Sequence, residues 1–169
     1  MVEVMIRPEQ SGDFGKITVL IDEAFAGMPY AGGDESEVVL RLRQQNALSL
    51  GLLAEVDGEL VGHIAFSPVK ADDGSSGWFA LGPVAVFPQF QSMGIGGKLI
   101  TEGLRQIQGR GGVGCMLTGN PDYYRRFGFE FSAGNCPPNE TAEYFMIKRL
   151  TDAAAPAGAL HFHPAFYSD

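Results

Sequence analysis

The sequence predicts a single α/β or α+β sheet, and three observations carry that reading. At 169 residues the chain has the length of one domain, large enough to bury about two-thirds of its unfolded surface. Apolar residues recur at helical spacing early in the chain and again after residue 94, with extended apolar segments in between. The resulting order is a strand, two helices, a run of strands and a strand–helix–strand unit, which is the pattern of one layered sheet.

Each element has its own signal. Val2 to Arg7 alternates as a strand closed by Pro8. Ser11 is placed to cap a helix whose apolar positions are Phe14, Ile17, Leu20, Ile21, Ala24 and Phe25, ended by Gly27-Met28-Pro29. Gly32-Gly33 leads into a second helix carrying Val38, Val39 and Leu42. Two strands, Leu48 to Val56 and Leu60 to Val69, are joined by the hairpin dipeptide Asp57-Gly58. The polar loop from Asp72 to Gly77 precedes a strand from Trp78 to Phe87. Leu99, Ile100, Leu104 and Ile107 mark the inner face of a helix over Gly94 to Gln108, and Val113 to Thr118 is a short buried strand. A helix of about two turns is expected around Asp122 to Phe127, then strand-like segments at Phe129 and at Tyr144 to Leu150. Small residues at 153–158 link to a last extended piece, Ala159 to Tyr167, and no internal repeat is present.

Composition excludes several function classes. A net charge of -8 disfavours a nucleic-acid binder, which must neutralise many phosphates. No apolar stretch has the length of a membrane span, and the N-terminus lacks the basic and apolar regions of a signal peptide, so the reading is cytoplasmic. Cys115 and Cys136 make neither a disulfide framework nor a metal-ligand pair, and the sequon at Asn139 is a chance match. His161 and His163 lack a carboxylate partner in sequence, so no metal is expected.

The chemistry concentrates between residues 81 and 98. Pro83, inside an apolar strand, donates no ladder hydrogen bond, so Gly82-Pro83 predicts a bulge or splayed edge. Gly94, Gly96 and Gly97 then open a helix whose first-turn amides are free, an arrangement that binds phosphate with few basic side chains. The same glycines also suit an ordinary turn before a helix, and the glycines alone leave both readings open. A nucleotide P-loop would need glycine at 92 and Ser or Thr at 99, where this chain has Ser92 and Leu99. A G-x-G-x-x-G pattern at Gly109, Gly111 and Gly114 follows a helix and precedes a strand, the reverse of a dinucleotide fold. Nine of the 23 glycines lie between Gln91 and Arg126, a segment that also carries five basic and two acidic residues.

Gln91-x-x-Gly94-x-Gly96, preceded by Pro83-Val84-Ala85-Val86, resembles the acyl-CoA signature of the GNAT superfamily of N-acetyltransferases. The run Asn120-Pro121-Asp122-Tyr123-Tyr124-Arg125-Arg126-Phe127-Gly128-Phe129 resembles that superfamily's second motif, as carried by a bacterial subgroup of uncharacterised N-acetyltransferases. The resemblance implies a single GNAT domain over 1–169, with 151–169 as a C-terminal extension packing on it. Its sheet would be mixed, mostly antiparallel, twisted, flanked by helices and splayed between the strands at 78–87 and 113–118.

The resemblance also implies a role for each matching residue. Gln91, Ser92, Met93, Gly94, Ile95, Gly96 and Gly97 would hold the pyrophosphate of acetyl-CoA through their amides. The backbone of Val84, Ala85 and Val86 would pair with the pantetheine arm, the Val84 amide serving the oxyanion. Tyr124 would be the general acid that protonates the departing thiolate, favoured over Tyr123 by its spacing to Gly128-Phe129. Asn120, Tyr123 and Phe127 complete the cofactor contacts, although Phe127 and Phe129 also read as core, and Arg125 and Arg126 read as a solvated face.

The general base is not evident. An amine of pKa near 10 must lose a proton before it attacks, yet the strand from Trp78 to Val86 holds no acid. Glu55 and His63 are the candidates, with Glu35 or a water chain behind them, and His63 also reads as a residue lining the sheet. Cys115 reads as a buried small residue. Residues 1–40 hold eight acidic and two basic residues, which suggests a cationic acceptor such as a polyamine, a lysine-like amine or an aminoglycoside; ordinary solvated helix faces explain the charge equally well. The expected reaction is direct acetyl transfer from acetyl-CoA to a primary amine of a small molecule or peptide, with a homodimer as one arrangement. The alternative is a non-catalytic acyl-CoA-binding sensor of the same fold.

Overall fold

The computed structural model describes residues 3–28 and 31–167. Val2, expected to start the first strand, and Pro29, expected to help end the first helix, lie outside the described residues. The elements in chain order are β1 (Val4–Pro8), α1 (Phe14–Phe25), α2 (Glu35–Gln44), β2 (Leu50–Val56), β3 (Glu59–Pro68), β4 (Lys70–Ala71), β5 (Trp78–Val86), α3 (Ile95–Gly109), β6 (Gly114–Thr118), α4 (Pro121–Tyr124), β7 (Glu130–Phe131), β8 (Phe145–Arg149) and β9 (Leu160–His161).

The chain packs as two compact units, one formed by residues up to Phe66 with Gly82–Leu104, the other by Ser67–Leu81 with residues from Arg105 on. The first unit carries the strand run β1-β2-β3-β5 and the second the run β5-β6-β8-β7, so β5 contributes its two halves to different units. Pairing is antiparallel for β1–β2, β2–β3, β6–β8 and β7–β8, and parallel for β5–β6. This is the mixed, mostly antiparallel, helix-flanked sheet expected of the fold. The parallel ladder ends at Ala80↔Met116, ahead of the cis bond Gly82–Pro83, which is where the strands were expected to part.

In the first unit, α1 buries Ile17, Leu20, Ile21 and Ala24 against Val39, Ala65 and Ala85. Spacings of three, one and three residues put those four side chains on one helical stripe, and burial of each large one stabilises by about 1.5–3 kcal/mol. Helix α2 places Glu35 and Glu37 in its first turn and Arg41 and Arg43 in its last, matching the helix dipole at both ends. The expected Ser11 cap is not formed. Ser11–Asp13 is a 3₁₀ turn in which the Asp13 carboxylate accepts from the Gln10 amide at 2.8 Å, so the acid three residues on closes the helix entry.

In the second unit, Trp78, Ala80, Met116, Phe145, Ile147 and Leu160 form the core with Ala71. The expected two-turn helix at Asp122 is one α turn, α4, continued as a 3₁₀ turn to Phe127 and stopped by Gly128 at φ +90°. The tail departs from a continuous extended piece. Leu160–His161 pairs with Lys70–Ala71, after which Pro164–Phe166 turns as a 3₁₀ helix because Pro164 fixes φ and lacks an N–H. His161 Nε2 lies 2.7 Å from Asp72 Oδ1, and the Ala157 amide donates to Asp73 at 2.8 Å, which holds the tail on the 72–74 turn.

Candidate active site

The glycine segment is arranged as a turn between strand and helix. Gln91 donates from Nε2 to the Val86 carbonyl at 3.0 Å, tying the start of the loop to the end of β5. Ser92 and Gly94 adopt φ +66° and +79°, left-handed conformations that reverse the chain, and α3 begins at Ile95. Gln91, Ser92, Met93 and Gly94 are exposed, Gly96 and Gly97 half-buried, and Ile95 buried as the anchor. The first intrahelical bond to the loop runs from Lys98 N–H to the Gly94 carbonyl at 3.1 Å, so the preceding amides have no acceptor within the helix. Exposed amides beside a helix N-terminus suit a diphosphate. Val84 and Val86 are half-buried, and Ala85 is buried in the α1 core.

In the second unit Asn120 caps α4, its Oδ1 accepting from Asp122 N–H at 3.0 Å, and its carbonyl accepts from the amides of Tyr123 and Tyr124. The cap orients both tyrosines. Their rings meet edge-on at 5.0 Å, and Tyr124 packs edge-on at 6.0 Å against buried Phe129. Tyr124 also lies on Gly119, where an added Cβ would sit 2.7 Å from ring atom Cε2. Burial, with Tyr123 alongside, raises the Tyr124 pKa above 10, so its hydroxyl stays a proton donor across the neutral range. Half-buried Phe127 packs against Tyr123 at 5.3 Å. Arg125 and Arg126 are exposed but not merely solvated: they lie over the rings of Phe131 and Tyr123 at 5.1 and 4.9 Å.

The candidate bases already have internal partners. Glu55 accepts from Arg7 Nε at 3.0 Å, and Arg7 also clamps Asp13 with two bonds of 2.9 Å. Glu35 accepts from the Gly32 amide at 2.7 Å, closing the turn ahead of α2. His63 is fully buried, its Nε2 2.7 Å from Glu9 Oε1, while Arg43 grips the same carboxylate with two bonds of 2.9 Å. Burial lowers the His63 pKa against the opposing pull of Glu9, which keeps the ring neutral. Several further acids of the N-terminal segment also have internal partners. Asp22 accepts from Ser36 at 2.6 Å, and Asp34 and Glu37 pair with Arg41 at 3.7 and 3.6 Å. Those side chains take part in fold contacts. Buried Cys115 is pushed up to about 12 by desolvation and is no nucleophile.

One carboxylate in the second unit was not anticipated from sequence. Glu140 is half-buried in the β7–β8 loop, and its Oε1 accepts from Thr118 Oγ1 at 3.3 Å. Burial raises its pKa, with the Thr118 bond opposing. Spacing offered no signal for it, because the contact joins a strand end to a proline-rich loop 22 residues away.

Comparison with known proteins agrees with this geometry. The sequence profile of the family described as "Acetyltransferase (GNAT) family" matches residues 17–129. The uncharacterised N-acetyltransferase YhbS of Escherichia coli K12 is 31% identical over 169 residues, covering 96% of this chain and 98% of that protein. A crystal structure of YhbS from Escherichia coli in complex with CoA superposes with a TM-score of 0.89 at 30% identity, covering 98% of this chain and 93% of that one. A GNAT family acetyltransferase from Brucella melitensis, crystallised with acetyl-CoA, is 42% identical with a TM-score of 0.86, covering 98% and 99% of the two chains.

Proposed function

The chain belongs to the GNAT family of acetyltransferases, and from that premise we propose that it moves the acetyl group of acetyl-CoA directly onto a primary amine of a small molecule or peptide in the cytoplasm. The observation that carries the reading is the exposed turn Gln91–Gly94 running into the free amides of the first turn of α3. The matched family profile crosses both compact units, which supports reading them as one catalytic domain.

Bound acetyl-CoA supplies the thioester; the remaining chemistry belongs to the chain. Amides of residues 91–97 hold the pyrophosphate at the dipole end of α3. The backbone of Val84 to Val86 pairs with the pantetheine arm, and the Val84 N–H donates to the carbonyl oxygen as it gains charge, a contribution of about 3 kcal/mol in comparable sites. Asn120, Tyr123 and Phe127 border the arm. Tyr124 gives its hydroxyl proton to the leaving sulfur, a task its raised pKa suits because the proton is present whenever the thiolate forms.

The test is thermal shift followed by thiol release. A ligand at a hundred times its Kd stabilises by about 2.7 kcal/mol, so acetyl-CoA is expected to raise the melting temperature and NADH to leave it unchanged. Thiol release is then measured with putrescine, spermidine, lysine and kanamycin. Tyr124→Phe is expected to cut kcat about a hundredfold with the KM for acetyl-CoA unchanged. A shift by NADH alone overturns the family chemistry, and acetyl-CoA binding without thiol release identifies a sensor.

A further inference from the structure

Two aspartates of this chain precede a glycine, in Asp57-Gly58 and Asp73-Gly74, and both pairs are exposed. The fold treats them oppositely. Asp73 Oδ1 accepts from the Ser75 amide at 2.9 Å, and its Oδ2 accepts from the Ala157 amide at 2.8 Å. The Gly74 N–H donates to the Ala71 carbonyl at 3.0 Å, so the carboxylate and the peptide after it are both held. Asp57 has none of this. Among the described residues its carboxylate takes part in no hydrogen bond or ion pair, and the Gly58 N–H has no acceptor.

Asp57 and Gly58 form the two-residue link between β2 and β3, next to the rung Val56↔Glu59. Their φ values, +52° and +79°, are both left-handed, as in a type I′ turn. Flipping the peptide plane between the two residues converts that turn to type II′. The flip keeps φ positive at the first residue and carries its ψ to about −120°. Glycine at the second position follows without strain, because it takes either sign of φ. In the flipped turn the Gly58 nitrogen faces the Asp57 carboxyl carbon. No heavy atom lies within 4 Å of the place a Gly58 side chain would occupy, so nothing there obstructs the approach.

We propose that Asp57 is a site of spontaneous backbone modification, converting to isoaspartate through a cyclic imide with Gly58, while the bonds on Asp73 and Gly74 protect the second pair. The Gly58 nitrogen bonds to Asp57 Cγ, and the hydroxyl of the protonated carboxyl leaves as water with the amide proton. Water then opens the ring at one of its two carbonyls. Attack at Cγ restores aspartate, and attack at the main-chain carbonyl leaves the chain running through Cβ and Cγ. One water departs and one returns, so the mass is unchanged and no oxidant or cofactor takes part. The product adds a methylene to the backbone of the link, which no longer fits the closing rung Val56↔Glu59.

The test is ageing of the full chain for several weeks at pH 6 and 37 °C, once folded and once in urea. Isoaspartate is quantified by carboxyl methylation with an isoaspartate-specific methyltransferase and labelled S-adenosylmethionine. It is placed by digestion with a protease that cuts before aspartate but not before isoaspartate. In the folded chain residue 57 is expected to accumulate about tenfold more than residue 73, since three hydrogen bonds hold the second site closed. In urea those bonds are gone, and the two sites should accumulate comparable amounts. Asp57→Asn closes the same ring with ammonia as the leaving group and is expected to deamidate in the folded state. A folded chain without isoaspartate at 57, an equal yield at both sites, or the same ratio folded and in urea overturns the assignment. So does an Asp57→Asn chain that keeps its amide.

Discussion

Glu9 Oε1 and His63 Nε2 lie 2.7 Å apart across 54 residues of sequence, and Arg43 holds both oxygens of the same carboxylate. The charges assign themselves. Glu9 accepts from Arg43 and from the imidazole, so His63 is neutral with its proton on Nε2. His63 Nδ1 is buried without a hydrogen-bond partner, and a proton there would be an unpaired donor. The Arg43 guanidinium also lies 4.0 Å over the Phe14 ring, linking α2, the entry to α1 and β3.

Stability is expected to fall on the acid side in two stages. His63 has a folded pKa below its ordinary 6.5, so as pH drops below that value the unfolded chain takes a proton that the folded chain refuses. Glu9 is held at about 2 against an ordinary 4.5: burial, the largest effect, pushes it up, but the bonds from His63 and Arg43 together prevail. Its contribution is present above pH 4.5 and is lost as pH falls toward 2. Urea midpoints at pH 7.5, 5.5 and 3.5 measure this, with E9Q expected to flatten the lower stage. Equal midpoints at pH 7.5 and 5.5 would remove His63 from the account.

Gly51 makes room for this network. A side chain there would run into the Glu9 carboxylate, while the Gly51 carbonyl accepts from the Glu9 amide at 3.0 Å. Gly51→Ala is expected to destabilise by about 1–3 kcal/mol through overpacking. Pairing it with E9Q in a double-mutant cycle should recover part of that cost, because the smaller charge demand lets the side chain move. Strict additivity would show that the crowding is elsewhere.

The contrast between the two carboxylate groupings explains what the sequence made legible. The turn at Gln91–Gly97 and the start of α3 follow from glycines and apolar spacing within a dozen residues, so local rules find them. The spacing to Gly128-Phe129 singles out Tyr124 only as a candidate acid. The Glu9–Arg43–His63 network joins residues 34 and 54 positions apart with no period, and only the folded chain brings them together. Strands β4 and β9, two residues each, are too short to leave an alternation and are defined by their partners. Glu140 sits in a loop whose sequence reads as turn chemistry alone, and its contact with Thr118 is not written in any local pattern.

Gly119 is expected to matter for rate more than for stability. The Tyr124 ring occupies the space that a side chain at 119 would need, and a Cβ placed 2.7 Å from Cε2 must displace it. A shift of about 1 Å in a catalytic group costs up to a hundredfold in rate. Gly119→Ala should therefore lower kcat by tenfold or more with the KM for acetyl-CoA nearly unchanged. Measured thiol release at wild-type kcat would detach Tyr124 from the chemistry.

Substitution of Gly94 is expected to separate cofactor binding from turnover. Its φ of +79° is open to glycine and costs an L-residue about 1–2 kcal/mol, so Gly94→Ala strains the turn that presents the first amides of α3. No neighbouring atom lies within 4 Å of the added Cβ, so the penalty is conformational rather than steric. If that strain is relieved by the loop leaving its binding shape, affinity for acetyl-CoA falls about tenfold, since 1.4 kcal/mol is a factor of ten. Saturating acetyl-CoA should restore kcat, because the proposed acid Tyr124 is untouched. Gly12→Ala is the control, having neither a positive φ nor a neighbour within 4 Å, and should leave KM unchanged. A Gly94→Ala protein with wild-type KM and a lowered kcat would place the loop in the chemical step instead of in cofactor binding.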